Sequence, residues 1–322
     1  MDSEHLPDAP VLGVDLGGTN ARVALVAPDG TVLRAERRAT AELARPEDLA
    51  DWLATERAAW GQDAVAVGIG APNGHHGRGT VEHPPNLPWP GVSPLAQLVE
   101  ERVGCPVFLD NDANVAALGE WRYGAGRGLD DFAMVTLGTG IGGGVVSGGR
   151  LVRGADGFGG EVGHLLVEPG GRPCGCGRLG CAEKYASVSG LLISVREGID
   201  AGAPGSEAFG GTAWLDDPQE AGARIGRAAA EGNPLALSAF HLAATMLARA
   251  LADLASITAP GRIVLFGGLV QAGDLFLDPL TERFEAGLLP CHRGRIELCP
   301  SALPAGHAAL LGAAALALDA LP

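Results

Sequence analysis

The chain holds a single lysine, Lys184, so its basic charge is almost wholly arginine. Basic residues number 23 against 38 acidic ones, a formal net charge of −15. A nucleic-acid surface neutralises phosphates with Lys and Arg, so this balance excludes a general nucleic-acid-binding protein. Any phosphate-bearing ligand must then be held by backbone amides and metal ions. A Walker A loop, Gly-x4-Gly-Lys-Ser/Thr, is missing. No apolar run reaches the roughly 18 residues of a membrane span. The amino terminus, MDSEHLPDAP, is acidic and polar and lacks the basic and apolar regions of a signal peptide. The expectation is a cytoplasmic protein without a membrane partner, in a compartment where thiols stay reduced. Its six cysteines are then better metal-ligand candidates than disulfide partners.

What the chain has in excess is glycine, 50 residues gathered in clusters with no collagen-like period. Hydrophobic residues make up 47% and charged ones 19%, an ordinary globular composition, and 322 residues suggest two modules. Val11–Asp15 and Ala21–Ala27 read as a hairpin bent through Gly17–Asn20, followed by a strand over Thr31–Ala35. Helical spacing covers Leu43–Trp60, and Ala64–Gly70 reads as a buried strand that opens into a Pro/Gly/His-rich loop. A helix to about Arg102, a strand at Val107–Asp110 and a helix over 112–120 follow. Phe132–Leu137 then repeats the opening device: strand, glycine–threonine turn, strand. A loop and helix are expected in 198–232, an amphipathic helix over Pro234–Ile257, a strand at Arg262–Phe266 and an apolar helix over Leu303–Leu321.

The turns carry the chemistry. Asp15-Leu16-Gly17-Gly18-Thr19-Asn20 puts a carboxylate at a strand end, then residues without Cβ, then a hydroxyl. A phosphate approaching backbone N–H groups needs that arrangement, although a plain hairpin turn would leave the same trace. Gly138-Thr139-Gly140 with Ile141 and Gly142–Gly144 repeats it, and two such turns are harder to ascribe to loops. Asn111-Asp112-Ala113-Asn114 lies at a strand-to-helix junction, where the helix dipole favours an ionised carboxylate. Asp112 there suits accepting a proton from a hydroxyl that attacks a phosphoryl group, or serving as a helix N-cap. His164, Cys174, Cys176 and Cys181 offer an imidazole and three sulfurs within eighteen residues, joined by Gly175, Gly177 and Gly180. Four such ligands close a tetrahedral zinc shell with no place for water, so the site is expected to be structural. Glu161 and Glu183 bracket this element and can accept bonds from sugar hydroxyls, or simply carry surface charge. Asn73, His75, His76, His83 and Asn86 lie in the polar loop after the strand 64–70.

In this order, VDLGGTN, LDNDANVAALGE, LGTGIGGG, EVGH, CGCGRLGCAEKYAS and VLFGG resemble the ROK family of sugar kinases and repressors, from Val11 to Leu318. Within that family the sequence is most similar to bacterial glucokinases. The resemblance implies an α/β, actin/hexokinase-like (ribonuclease H-like) fold: two domains, a central cleft and a zinc-binding loop. The domains are expected at 1–118 plus 305–322 and at 119–304. It implies ATP-dependent phosphorylation of a hexose, foremost glucose to glucose 6-phosphate, with Asp112 as general base. Asn111, Asp112, Glu161, His164 and Glu183 become sugar contacts, and Asn73 and Asn86 are placed with them. Asp15, Gly17, Gly18, Thr19 and Asn20, with Gly138, Thr139 and Gly140, become the holders of phosphates and Mg2+. Gly267 and Gly268 flank the adenosine. Zn2+ is structural, and a homodimer or homotetramer is expected. One departure concerns Asn73: many members carry Gly-x-Pro-Gly where this chain reads Gly70-Ala71-Pro72-Asn73, and an Asn side chain can itself bond a sugar hydroxyl. Rival readings are a kinase for fructose, mannose or an N-acetylhexosamine, a polyphosphate-dependent enzyme, a zinc-stabilised sugar-binding module, and a repressor. The repressor needs a helix-turn-helix domain before the first strand, where only ten residues precede Val11, and it needs charge of the other sign.

Overall fold

The structure is a computed structural model that describes residues 9–60, 64–216, 218–304 and 306–321. The chain divides into two compact units: Met1–Asp130 with Gly144–Gly160 and Ser301–Pro322, and Asp131–Gly143 with Glu161–Pro300. In the first unit β1 (Val11–Leu16), β2 (Asn20–Val26) and β3 (Val32–Ala39) form an antiparallel meander. Helix α1 (Pro46–Trp60) returns the chain to β4 (Val67–Ala71), which pairs with β1 in parallel. Three very short strands, β5 (Gly74–His75), β6 (Thr80–Glu82) and β7 (Val92–Ser93), make a small sheet in the stretch read from sequence as loop. Next come α2 (Leu95–Val103), β8 (Val107–Asn111) parallel to β4, and α3 (Asp112–Tyr123). The large sheet has the order β3-β2-β1-β4-β8. Its central strands read as unbroken apolar runs because both faces are covered. Trp52, Leu53, Trp89, Leu95 and Val99 pack on one face with Val14, Leu16 and Ile69.

The second sheet begins with β9 (Phe132–Leu137), β10 (Ile141–Ser147) and β11 (Arg150–Leu151). Then follow α4 (Glu183–Ala186), α5 (Val188–Asp200), α6 (Pro218–Ala230), α7 (Pro234–Thr258), β12 (Arg262–Gly267), α8 (Asp274–Gly287) and β13 (Glu297–Pro300). Its order is β11-β10-β9-β12-β13, with β9, β12 and β13 parallel. This is the order of the first sheet, so the duplication read from two hairpins extends to five strands each. By length and composition α7 is long and apolar enough to cross a membrane, which corrects the expectation that no run is. Of its most apolar stretch, 67% is buried within the structure, with Phe240 meeting Phe276 of α8 at 6.4 Å between ring centroids.

Helix α9 (Ala308–Ala320) belongs to the first unit and lies on the other face of its sheet. Leu310, Ala314, Ala317 and Leu318 form a core there with Val11, Ala24 and Val26. The approach is close because glycine meets backbone: a Cβ at Gly68 would sit 1.7 Å from the Ala313 carbonyl oxygen.

Candidate active-site residues

In the first unit, Gly17–Thr19 link β1 to β2. The Gly17 N–H donates to Asn20 O at 3.0 Å, and the buried hydroxyl of Thr40 donates to Gly17 O at 2.6 Å. Thr40 N–H donates to Thr19 O at 2.9 Å, so a residue that the sequence reading passed over fixes the turn. Asn86 packs directly on Gly18, where a Cβ would come within 2.8 Å of its own. Thr19 is exposed at the tip. Asp15 stands opposite Arg22 in the β1–β2 ladder. Burial, opposed by the Arg22 guanidinium and reinforced by the Asp112 carboxylate, pushes Asp15 up to about 6.

Asp112 is the first residue of α3, immediately after β8. The N-cap is Asn111 and not Asp112: Asn111 Oδ1 accepts from Ala113 N–H at 2.9 Å and from Asn114 N–H at 3.5 Å. Asp112 Oδ1 accepts from Ala113 N–H at 2.8 Å. Burial pushes the Asp112 carboxyl up, against the lowering pull of that N–H, so desolvation works against the helix dipole invoked from sequence. The result is a carboxyl more basic than an exposed one, at a strand end beside a second acid.

Asn73 takes φ = 52°, the left-handed region that glycine adopts freely and Asn tolerates better than most residues. Its Nδ2 donates to the carbonyls of Glu82 at 3.0 Å and His83 at 3.1 Å. The amide nitrogen is therefore engaged in closing its own loop. His76 is held nearby, Nδ1 donating to Leu109 O at 3.2 Å; burial and the Arg153 guanidinium push its pKa down and keep the ring neutral at pH 7.

In the second unit, Gly138–Gly140 link β9 to β10 in the same way, with Gly138 N–H donating to Gly140 O at 3.0 Å and Thr139 exposed. Val188 N–H, at the start of α5, donates to Gly138 O at 2.8 Å and ties the turn to that helix. Glu183 Oε2 accepts from Ile141 N–H at 3.2 Å and lies against Gly140. Beside this turn is a pocket of about 580 Å3, lined by Val188, Gly222, Gly226, Arg227, Gly268 and Leu275, among others. Small residues of α6 form one wall, and Gly268 brings in the β12 end. Gly267, its neighbour, has φ = 122°, and a Cβ there would fall 2.4 Å from Leu137 O.

The Cys/His cluster assembles from residues 161–186. His164 Nδ1 is 3.6 Å from Cys174 Sγ, Cys176 Sγ is 3.6 Å from Cys181 Sγ, and all four ligand atoms lie within 4.8 Å of one another. Thiolates about 2.3 Å from a tetrahedral ion are about 3.8 Å apart, so the group fits zinc with small adjustment. Gly180 makes the fold of this loop possible: its φ is 83°, and a Cβ would sit 1.7 Å from Glu168 O. The Arg178 backbone N–H pulls the exposed Cys176 thiol down to about 6, while burial pushes Cys181 up to about 12. His164 turns Nδ1 to the sulfurs and Nε2 to Glu161, 3.8 Å from its Oε2. Arg172 secures the loop to α4 and α5: it donates to Lys184 O at 2.8 Å and Ser194 Oγ at 3.0 Å and lies over the Tyr185 ring. Nothing in its sequence context marked it.

The structure thus groups Asp15, the Gly17–Asn20 turn, Asn73, Asn86, Asn111 and Asp112 in one unit. It groups the Gly138–Gly140 turn, Glu161, the metal ligands, Glu183, Gly267 and Gly268 in the other.

The sequence pattern of the ROK family matches residues 11–320. A glucokinase of Thermotoga maritima is 38% identical over 318 residues, covering 97% of this chain and 98% of that protein. A glucokinase of Streptomyces coelicolor is 37% identical over 316 residues with the same coverage, 97% and 98%. Among solved structures, a ROK family glucokinase from Streptomyces griseus in complex with glucose and AMPPNP is similar with a TM-score of 0.80 at 37% identity. That likeness covers 97% of this chain and 100% of the other. With the pattern running through both glycine–threonine turns, the Asp112 junction and the cysteine cluster, the chain belongs to the ROK family.

Proposed function

We propose that this sugar kinase transfers the terminal phosphoryl group of ATP to the 6-hydroxyl of glucose, with Asp112 as the general base. The observation that carries the reading is the placement of Asp112: a desolvated carboxyl at the first turn of α3, close enough to Asp15 for its charge to raise that group. A base of raised pKa takes the proton of a hydroxyl more readily as the oxygen attacks phosphorus. Phosphoryl transfer asks otherwise for positioning and charge neutralisation. In the two turns the backbone N–H groups of Gly18 and Thr19, and of Thr139 and Gly140, are the ones offered to phosphate oxygens, and the pocket lined by Gly226 and Gly268 takes the adenosine.

Asp15, buried and raised further by the Asp112 carboxylate, fits a divalent cation, since it offers a hard oxygen ligand and gains from a compensating charge. Mg2+ held there would neutralise phosphate charge. Zinc, held by His164, Cys174, Cys176 and Cys181, would be structural, because four protein ligands leave no open position. Glu161, His164 Nε2 and Glu183 are then oriented as sugar contacts by the loop they share with the ligands. Asn111 contributes its Nδ2, its Oδ1 being used in the cap. Asn73 holds φ = 52°, a conformation that glycine also adopts freely, so the loop can keep the turn that a Gly-x-Pro-Gly sequence would make.

A coupled ADP-release assay over glucose, mannose, fructose and N-acetylmannosamine tests the reading. Glucose is expected to give the highest kcat/KM. A better sugar overturns the glucose assignment, and no sugar-dependent ADP release overturns the kinase. Asp112→Asn keeps shape and loses basicity, so kcat should fall roughly 10²–10⁴-fold with sugar binding retained. Retention of more than about a tenth of wild-type turnover removes Asp112 from the role of base.

A further inference from the structure

A carboxylate without a part in that mechanism lies under the candidate site. Asp110, in β8, has 0% of its surface exposed. Its Oδ1 accepts from Asn111 N–H at 2.8 Å and from Asn114 Nδ2 at 3.0 Å. Its Oδ2 accepts from Arg153 Nε at 2.6 Å and lies 3.7 Å from His76 Nδ1. A buried charge persists only when paired and hydrogen-bonded, and here every side of the carboxylate is engaged. The Asn114 amide is oriented by it at some expense: Asn114 Oδ1 is buried without a partner among the described residues. Neighbouring contacts bring the same segments together. Gly157 lies against the His75 ring, where a Cβ would come 3.0 Å from Nε2, and Phe158 meets that ring edge-on at 5.4 Å.

Three stretches of the first unit therefore meet at Asp110: the loop after Asn73, the first turn of α3, and Arg153 to Phe158. We propose that Asp110 is a positioning residue for phosphoryl transfer. Through Asn111 N–H and Asn114 it fixes the turn that carries Asp112, and through Arg153 it holds the segment beginning at that residue against the same turn. The inference rests on the reading of Asp112 as the base. Its physical content is that a reacting group displaced by about 1 Å can lose about 10²-fold in rate. An amide cannot replace the carboxylate. If its oxygen serves Asn111 and Asn114, its NH2 faces the Arg153 guanidinium, donor against donor.

The test compares Asp110→Asn with Leu53→Ala, a core substitution in the same unit whose side chain is fully buried. Both should lower Tm. At a temperature where both are folded, Asp110→Asn should lower kcat about 10–100-fold with the KM for ATP within about twofold, and Leu53→Ala should leave kcat unchanged. An Asp110→Asn protein with more than half of wild-type kcat, or one no worse than Leu53→Ala, overturns the proposal. If Asp110→Asn does not fold, Arg153→Met carries the test, and a folded Arg153→Met enzyme of wild-type kcat overturns it equally. The failures separate cleanly. A wild type inactive on every hexose removes the kinase reading and this inference together, whereas an Asp112→Asn protein that is dead beside an Asp110→Asn protein that is fully active removes this inference alone.

Discussion

At the scale of single residues, Asp15 illustrates function held against stability. Its pKa is pushed up to about 6 by burial, from an ordinary 3.8. A carboxyl raised on folding favours the fold while protonated, so its contribution is full below about pH 4 and lost as pH rises through about 6. At pH 7.5 the folded enzyme therefore carries a charged group it would sooner protonate, a penalty of up to about 3 kcal/mol. Asp15→Asn is expected to raise Tm at pH 7.5, to gain little at pH 4 and, on the proposal that Asp15 ligates Mg2+, to lose kinase activity. A variant equally destabilised at both pH values would show that Asp15 is held in place by bonds and not strained by burial. Residues of this kind were legible in the sequence because the motif supplies a strand end, glycines and a hydroxyl together. Thr40, Arg153 and Arg172 were not, since each acts on a partner 23 or more positions away or through a network formed only by folding, as when Thr40 meets Gly17. Asp110 stood next to the motif and still looked like an ordinary strand residue, because its partners come from three separate segments.

At the scale of elements, the loop from Glu161 to Ala186 carries the Cys/His cluster proposed to hold zinc. Leu166 and Leu179 are each 50% exposed, and Gly177 and Gly180 turn the chain through positive φ. Metal analysis of purified protein should find one zinc per chain. Cys176→Ser should lose it, lower Tm and raise the KM for sugar together, since metal binding contributes directly to the folding of such a loop. Loss of metal with Tm and KM both unchanged would reduce the cluster to packing. The cysteine spacing announced this element, and apolar runs announced the long strands and helices. The small sheet β5–β7 left no trace, since strands of two or three residues are too short for a period to register. The end of β3 was misjudged for a related reason: its exposed run of Arg34, Glu36, Arg37 and Arg38 reads as loop, and only pairing along β2 extends it to Ala39.

At the scale of the whole molecule, the repeated hairpin was a local sign of a global fact: two sheets of identical strand order, each with a glycine–threonine turn after its first central strand. The chain's single lysine gives that architecture an unexpected handle. Lys184 lies in α4, one residue from Glu183; its N–H donates to Cys181 O at 3.0 Å, and its carbonyl accepts from Arg172. A lysine-specific protease has one bond to cut, between Lys184 and Tyr185, and it must unwind α4 to reach it. Intact protein should resist digestion for as long as the zinc loop stays closed. On the proposal that the cluster holds zinc and its loop contacts the sugar, chelation should convert the protein to two fragments visible on a gel and sugar should slow that cut, so one band pattern reports the state of this loop.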